Sequence, residues 1–264
     1  MGRRLIIFLN LVLIFQSAIV FAGTIYTREF KKTVDFQPNK MVEVKTINGK
    51  IDLTSWDENS VEIEAEIKVK ASSNREAEEM LDQVEILIEQ SHNGLTVEPN
   101  FLKRNQVDSF WDSIFGKSKP VVNFAIKVPK ETDLKLKSTN GHINVDNIIG
   151  ELTLGTTNGG IEAEDIEGSV EGHTTNGSIS MWIDRFREDD RIDLSTTNGS
   201  IKLRLPSDVR ADLKVSTVNG SIRTDFPMTV QGKFNRKRLN GEINGGGGHI
   251  DLSTVNGSVS IYER

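Results

Sequence analysis

The residues able to do chemistry are few and scattered. Four histidines are present, His92, His142, His173 and His249. Three of them stand near a recurring Asn-Gly step, two after, three before and seven before its Asn, so stacked copies of that step would not gather them. No H-E-x-x-H, nucleophile elbow or phosphate-cradling glycine loop occurs. Gly245-Gly-Gly-Gly-His-Ile-Asp-Leu has the look of a calcium-binding β-roll nonapeptide. That chemistry needs the Gly-Asp unit repeated so that successive turns share the ion, and here it occurs once. Glu43, Glu171, Asp193 and Asp251 share one column, five residues before the Asn, interleaved with Lys135 and Lys214. Acid-base work needs one carboxyl held protonated beside a second in a cleft, whereas alternating charges on an outward column need only water. No catalytic residue, metal ligand or cofactor-binding motif emerges, and a carbohydrate-active β-helix enzyme ranks third among the readings.

The elements that would position any such residue are set by the Asn-Gly steps themselves. Eight share one flanking pattern: Asn48, Asn140, Asn158, Asn176, Asn198, Asn219, Asn240 and Asn256, each succeeded by Gly. After a first gap of 92 residues they recur every 16 to 22. Three residues after the Asn stands Ile or Val throughout, as in Ile51, Ile161 and Val259, while apolar residues dominate the positions four and six before. Alternation on both sides of the step is the strand period. Two before the Asn stands Thr or Ser in every copy except that of Asn240, which has Arg238. A hydroxyl there can bond neighbouring backbone, and Asn-Gly readily adopts the positive φ of a tight corner. A period near 20 suits one coil of a stacked sheet. The pattern predicts an all-β fold, a β-solenoid or β-helix-like stack of roughly 20-residue Asn-Gly repeats with one short helix in the N-terminal part; a meander of hairpins is the alternative.

The chain divides into three segments. Residues 1–22 read as a secretory signal peptide: Arg3 and Arg4, an apolar run from Leu5 to Ile14, then Val20-Phe21-Ala22, with cleavage expected after Ala22. Residues 23–132 form an N-terminal β region. It holds a helix near 73–84, opened by the capping pair Ser73 and Glu76, with Ala77, Met80, Leu81 and Val84 in one apolar stripe. It also holds an insert at 99–120. Residues 133–264 form the repeated region, continuous with what precedes it. In the insert, Phe101, Phe110, Trp111 and Phe115 stand outside the repeat pattern, read first as a cap on an open sheet end and second as a candidate partner contact.

Removing Arg3 and Arg4 leaves 30 basic against 38 acidic residues, a net charge of −8. So acidic a body points away from nucleic acid. With no cysteine, disulfides and thiolate metal or redox sites are excluded. The mature chain shows no integral membrane span; its expected place is the periplasm or extracellular surface.

The runs Leu134-Lys-Leu-Lys-Ser-Thr-Asn-Gly-His-Ile, Ile192-Asp-Leu-Ser-Thr-Thr-Asn-Gly-Ser-Ile-Lys-Leu-Arg-Leu-Pro and Ile250-Asp-Leu-Ser-Thr-Val-Asn-Gly-Ser-Val-Ser-Ile resemble the bacterial putative-adhesin family of exported β-repeat proteins, as does Ser55-Trp56-Asp57 in the early strands. The resemblance covers nearly all of the mature chain and implies a β-helix-like stack. It carries no catalytic or ligand-binding residues over. Taken together, these features predict a non-catalytic cell-envelope adhesin-like or scaffold protein, with an envelope polysaccharide-binding module as the alternative. Its partner would be an envelope protein or polysaccharide, and its oligomeric state stays open.

Overall fold

Strand alternation places the chain in two sheets that share one core. The computed structural model describes residues 5–6, 24–102, 119–230 and 237–264. Among them one sheet has 12 strands and the other 10. The fold is all-β, with parallel and antiparallel pairing mixed in both sheets and one short helix. A two-residue strand, Leu5–Ile6, pairs with Val84–Ser91 at one margin of the larger sheet.

In the middle of the molecule the chain crosses from one sheet to the other at each Asn-Gly step. Leu152–Asn158, Val170–Asn176 and Arg191–Asn198 lie parallel in the larger sheet; the chain continues from them into Ile161–Glu167, Ile179–Arg185 and Ile201–Leu205 of the smaller. Inward residues are fully buried in both sheets: Leu154 and Leu194 from one side, Ile161, Ile179 and Ile201 from the other. Gly172 fills a Leu position in the same column because Leu194 occupies its space; a Cβ there would come within 2.9 Å of Leu194 Cδ2. The long first gap is an excursion. Asn48 pairs directly with Asn140, and Met41–Lys45 lies beside Asp133–Lys137.

At the corner, side chains stack as well as strands. Asn140 Nδ2 donates to Asn48 Oδ1, Asn158 to Asn140, Asn176 to Asn158, Asn198 to Asn176 and Asn256 to Asn198, at 2.7–2.8 Å. Asn219 then donates to Asn256 at 2.9 Å. The buried Thr two residues earlier donates to the Gly carbonyl of the adjoining coil: Thr156 to Gly141 at 3.0 Å, Thr174 to Gly159 and Thr196 to Gly177 at 2.9 Å.

Two expectations are corrected here, and the stacking order adds a third finding. The Gly of the corner does not serve a positive φ, which among the eight steps only Gly49 adopts. It serves close approach: a Cβ on Gly177 would lie 1.9 Å from Gly159 O, and one on Gly199 1.9 Å from Gly177 O. Next, Asn240-Gly241 stands inside Arg238–Ile243, antiparallel to Ala211–Thr217, and takes no part in the corner. Finally, order in space departs from order in sequence. Gly248–Asn256 inserts between Arg191–Asn198 and Ala211–Thr217, so Asn219 stacks after Asn256.

The far end is closed by antiparallel strands and the helix. Thr24–Asp35 pairs with Ser60–Ala71, which pairs with Val121–Pro129. The helix runs Asn74–Leu81, with Val84 already in the next strand. Ser73 caps it, its hydroxyl accepting from Glu76 N–H at 3.3 Å, while the Glu76 carboxylate reaches past it to Ser72 N–H at 2.8 Å. Ala77, Met80 and Leu81 are buried against Ser60–Ala71, and Arg28 pairs with Asp82 at 2.7 Å across the helix end.

Candidate functional site

Because strand residues alternate, every coil that buries its third and fifth residues after the Asn must show its fourth and sixth outward on the smaller sheet. Parallel pairing in register lines these up into rows. The fourth-residue row reads Asp52, Asn144, Glu162, Ser180, Lys202, Ser260, Arg223; the sixth reads Thr54, Asp146, Glu164 and, across an irregularity in the pairing after Ala163, Trp182, Arg204, Tyr262. Charge is divided along this face. Carboxylates fill its N-terminal half, and two aromatics with three cations, Lys202, Arg204 and Arg223, its C-terminal half.

In the C-terminal half, Arg204 lies opposite Trp182 on one neighbouring strand and Tyr262 on the other. Its guanidinium carbon is 5.3 Å from the Trp182 ring centre and 5.7 Å from that of Tyr262. Both distances are within cation–π range, so one planar cation is stacked between two half-exposed rings. Chain order alone would not bring them together, since Tyr262 reaches this place only through the inserted C-terminal coil.

In the N-terminal half an open depression of about 380 Å³ is lined by Asp52, Thr54, Lys127, Asn144, Asp146 and Glu164 among others. Asn144 donates to Asp52 at 2.7 Å and Thr54 to Asp146 at 3.2 Å. Burial, and after it the like charges of Glu162, Asp146 and Asp165, pushes the Glu164 carboxyl above its ordinary range. Glu62 at the other wall behaves oppositely. Hydrogen bonds from Lys127 and Lys31, both at 3.0 Å, hold it below that range. A raised carboxyl beside carboxylates is an ingredient of acid-base catalysis, yet here it lies on a shallow sheet surface. Among the described residues no group of three or more His, Cys, Asp or Glu is placed to hold a metal ion.

Residues 31–262 match the model of the family described as Toastrack DUF4097. The chain belongs to that family. Among solved structures, the Toastrack chain is similar to a putative cell adhesion protein from Clostridium sporogenes, at 15% identity over 90% of this chain and 100% of that one, with a TM-score of 0.51. At that identity the likeness speaks to the fold alone. Weaker likenesses are a putative adhesin from Bacteroides fragilis, 10% identical over 90% of this chain and 97% of that one with a TM-score of 0.40, and a putative lipid binding protein from Parabacteroides distasonis, 11% identical over 89% and 96% with a TM-score of 0.28. No curated protein matches the chain.

The residues that sequence reasoning singles out lie elsewhere. Phe101 ends the strand Gly94–Phe101, half-buried against the core, while Phe110, Trp111 and Phe115 lie outside the described residues. The column Glu43, Glu171, Asp193 and Asp251 faces outward on the other sheet, where Lys135 and Lys45 pair with Glu43 and Lys214 pairs with Asp251. His142 Nδ1 accepts from Gly160 N–H at 3.0 Å, a corner bond. Trp182, Arg204 and Tyr262 escape a sequence reading confined to the columns before the Asn, although each stands six residues after one. Reading the outward columns on both sides of the step aligns them.

Proposed function

We propose that this Toastrack protein is a non-catalytic, exported cell-envelope protein of the adhesin-like or scaffold kind, built as a β-solenoid. Its working surface is the outer face of the ten-stranded sheet. One observation carries the reading: Arg204 is held between Trp182 and Tyr262 by three neighbouring strands. Side chains stacked on a rigid sheet surrender little entropy when a partner covers them, which suits extended contact better than turnover. The basic, apolar and small-residue sequence of 1–22 supports export with a mature N-terminus at Gly23, to the periplasm or the outer surface.

The same rings favour a second reading, an envelope polysaccharide-binding module, since flat aromatic faces with flanking polar groups also suit sugars. The insert aromatics Phe101, Phe110, Trp111 and Phe115 we assign to capping a sheet end, with partner docking as the competing role. A binding experiment separates these roles. Purified mature chain is sedimented with protein-free wall polysaccharide and, separately, with immobilised envelope proteins, beside the Trp182→Ala/Tyr262→Ala and Phe110→Ala/Trp111→Ala variants. Loss of binding in the first variant at unchanged melting temperature supports the sheet face, and the retained substrate says whether its partner is protein or glycan. Full binding by that variant overturns the assignment. Lost binding with a stable fold in the second variant moves the contact to the insert.

A further inference from the structure

We propose that Asn219-Gly220 is a self-modification site, the one corner step at which the chain converts spontaneously through a succinimide to an isoaspartyl or aspartyl residue. The reaction needs no enzyme. The Gly nitrogen, unhindered because Gly has no Cβ, attacks the preceding Asn side chain. The N–Cγ bond forms and the Cγ–Nδ2 bond breaks, ammonia departing with the proton lost from the Gly N–H. Water then opens the cyclic imide at either carbonyl. Two things must be free: the Gly N–H, to give up its proton, and the Asn amide, to swing toward it.

At the steps of Asn140, Asn158, Asn176 and Asn198 both are engaged. Gly141 N–H donates to Asn158 O, Gly159 to Asn176 and Gly177 to Asn198, each at 3.0 Å, and Gly199 to Asn256 at 3.1 Å. The amides of Asn158, Asn176 and Asn198 are held on both sides, each donating from Nδ2 and accepting at Oδ1. At Asn256 the amide alone is held, on both sides by Asn198 and Asn219, while Gly257 N–H has no acceptor among the described residues. Asn219 is the end of the row. Its Nδ2 donates to Asn256, but among the described residues nothing donates to its Oδ1 and Gly220 N–H has no acceptor. Solvent exposure of the asparagines does not distinguish the steps, for Asn158, Asn176, Asn198 and Asn219 are all exposed, although Gly220 is exposed where Gly159, Gly177 and Gly199 are half-buried. Restraint does. Beyond Gly220 the chain enters lightly anchored backbone, the three-residue edge strand Ile222–Thr224, paired on one side only.

The product would loosen this end. A carboxylate at 219 cannot donate to Asn256 Oδ1. An isoaspartyl linkage adds a backbone methylene just before Gly220, which shifts Ser221 away from Ser258, now at 3.2 Å, and Ile222 out of register with Val259.

The test uses the wild-type chain held folded in mildly alkaline buffer, sampled over time, and peptide-mapped by mass spectrometry with fragmentation that separates isoaspartyl from aspartyl. Releasing two hydrogen bonds before reaction should slow an interior step by roughly tenfold or more, so Asn219 should convert at least about tenfold faster than Asn158, Asn176 and Asn198. In denaturant the four rates should converge. Equal rates in the folded chain overturn the proposal. So does a difference that persists in denaturant, because it would belong to the local sequence.

Discussion

Asn176-Gly177 and Asn240-Gly241 are the same dipeptide in two different roles. The first turns a corner between sheets, with Asn176 paired to Asn158 and Asn198 and with Gly177 packed against Gly159. The second lies flat in an antiparallel strand, opposite Lys214 and Leu213. The difference lies two residues upstream. Thr174 is buried and bonded to Gly159 O, whereas Arg238 at the matching position is exposed. A guanidinium cannot enter that dry, narrow corner without losing its hydration, and a threonine can enter because its hydroxyl finds a carbonyl. The corner is therefore specified by hydroxyl, Asn and Gly together, and the dipeptide alone is insufficient.

The largest expected effect tests whether the stack has an inside. Ile201 is fully buried and pairs with Ile179 and Val259, so Ile201→Asp should cost roughly 3 kcal/mol or more. Ser200→Asp beside it, half exposed, should cost about 0.5 kcal/mol or less. Urea titration of the two variants measures both, and similar losses would mean the faces are wrongly assigned.

Next in size is the corner glycine. A methyl group on Gly177 meets a backbone carbonyl of the adjoining coil at 1.9 Å, and only a shift of one coil against another can relieve it. Gly177→Ala should cost about 2–3 kcal/mol. At Gly241 the nearest atom would be Thr229 O at 2.7 Å, in a short margin strand that can give way. Gly241→Ala should lose clearly less in the same thermal melt, and an equal loss would abolish the contrast between corner and strand.

Much of this architecture was legible in the sequence, and the rest was hidden for physical reasons. Two-residue alternation around each step names the buried residues, as Ile201, Leu203 and Leu205 show. The helix could be read from Ser73 and Glu76 because capping is a local matter. Stacking order could not be read this way. Coils ending in Asn198, Asn219 and Asn256 carry nearly the same contact residues, so any of them fits on any other, and only the long hairpin excursion lets the last coil reach back between the first two. The face with Trp182, Arg204 and Tyr262 depends on that order, since Tyr262 would otherwise not lie beside Arg204. The role of the corner glycines was hidden for a related reason: close approach between coils is a long-range fact, while the positive φ expected of Asn-Gly is a short-range habit.

A smaller effect isolates the hydroxyl. Thr196→Val keeps shape and burial but leaves Gly177 O without its 2.9 Å donor, at a cost of about 1–2 kcal/mol. The matching change outside the corner, Arg238→Thr, adds a hydroxyl with no such carbonyl to meet and should fall within about 0.5 kcal/mol of wild type. Chemical denaturation resolves the two, and a neutral Thr196→Val would shift the specificity of the corner onto Asn and Gly alone.

The smallest and most direct comparison replaces the asparagines themselves. Asn176→Ala removes two ladder hydrogen bonds of 2.8 Å, one given to Asn158 and one received from Asn198. Both orphaned groups lie on the exposed edge, where water can take over, so the loss should stay near 1 kcal/mol and well below the sum of two buried bonds. Asn240→Ala disturbs no ladder and should change stability by about 0.5 kcal/mol or less. The difference is small enough that melting temperature alone would be a blunt reading. Double-mutant cycles sharpen it: Asn176→Ala with Asn198→Ala should be non-additive because the pair shares a bond, while Asn240→Ala with Asn198→Ala should add. Additivity in the first pair would mean that the amides merely line up along the edge and the corner is held by threonine and glycine without them.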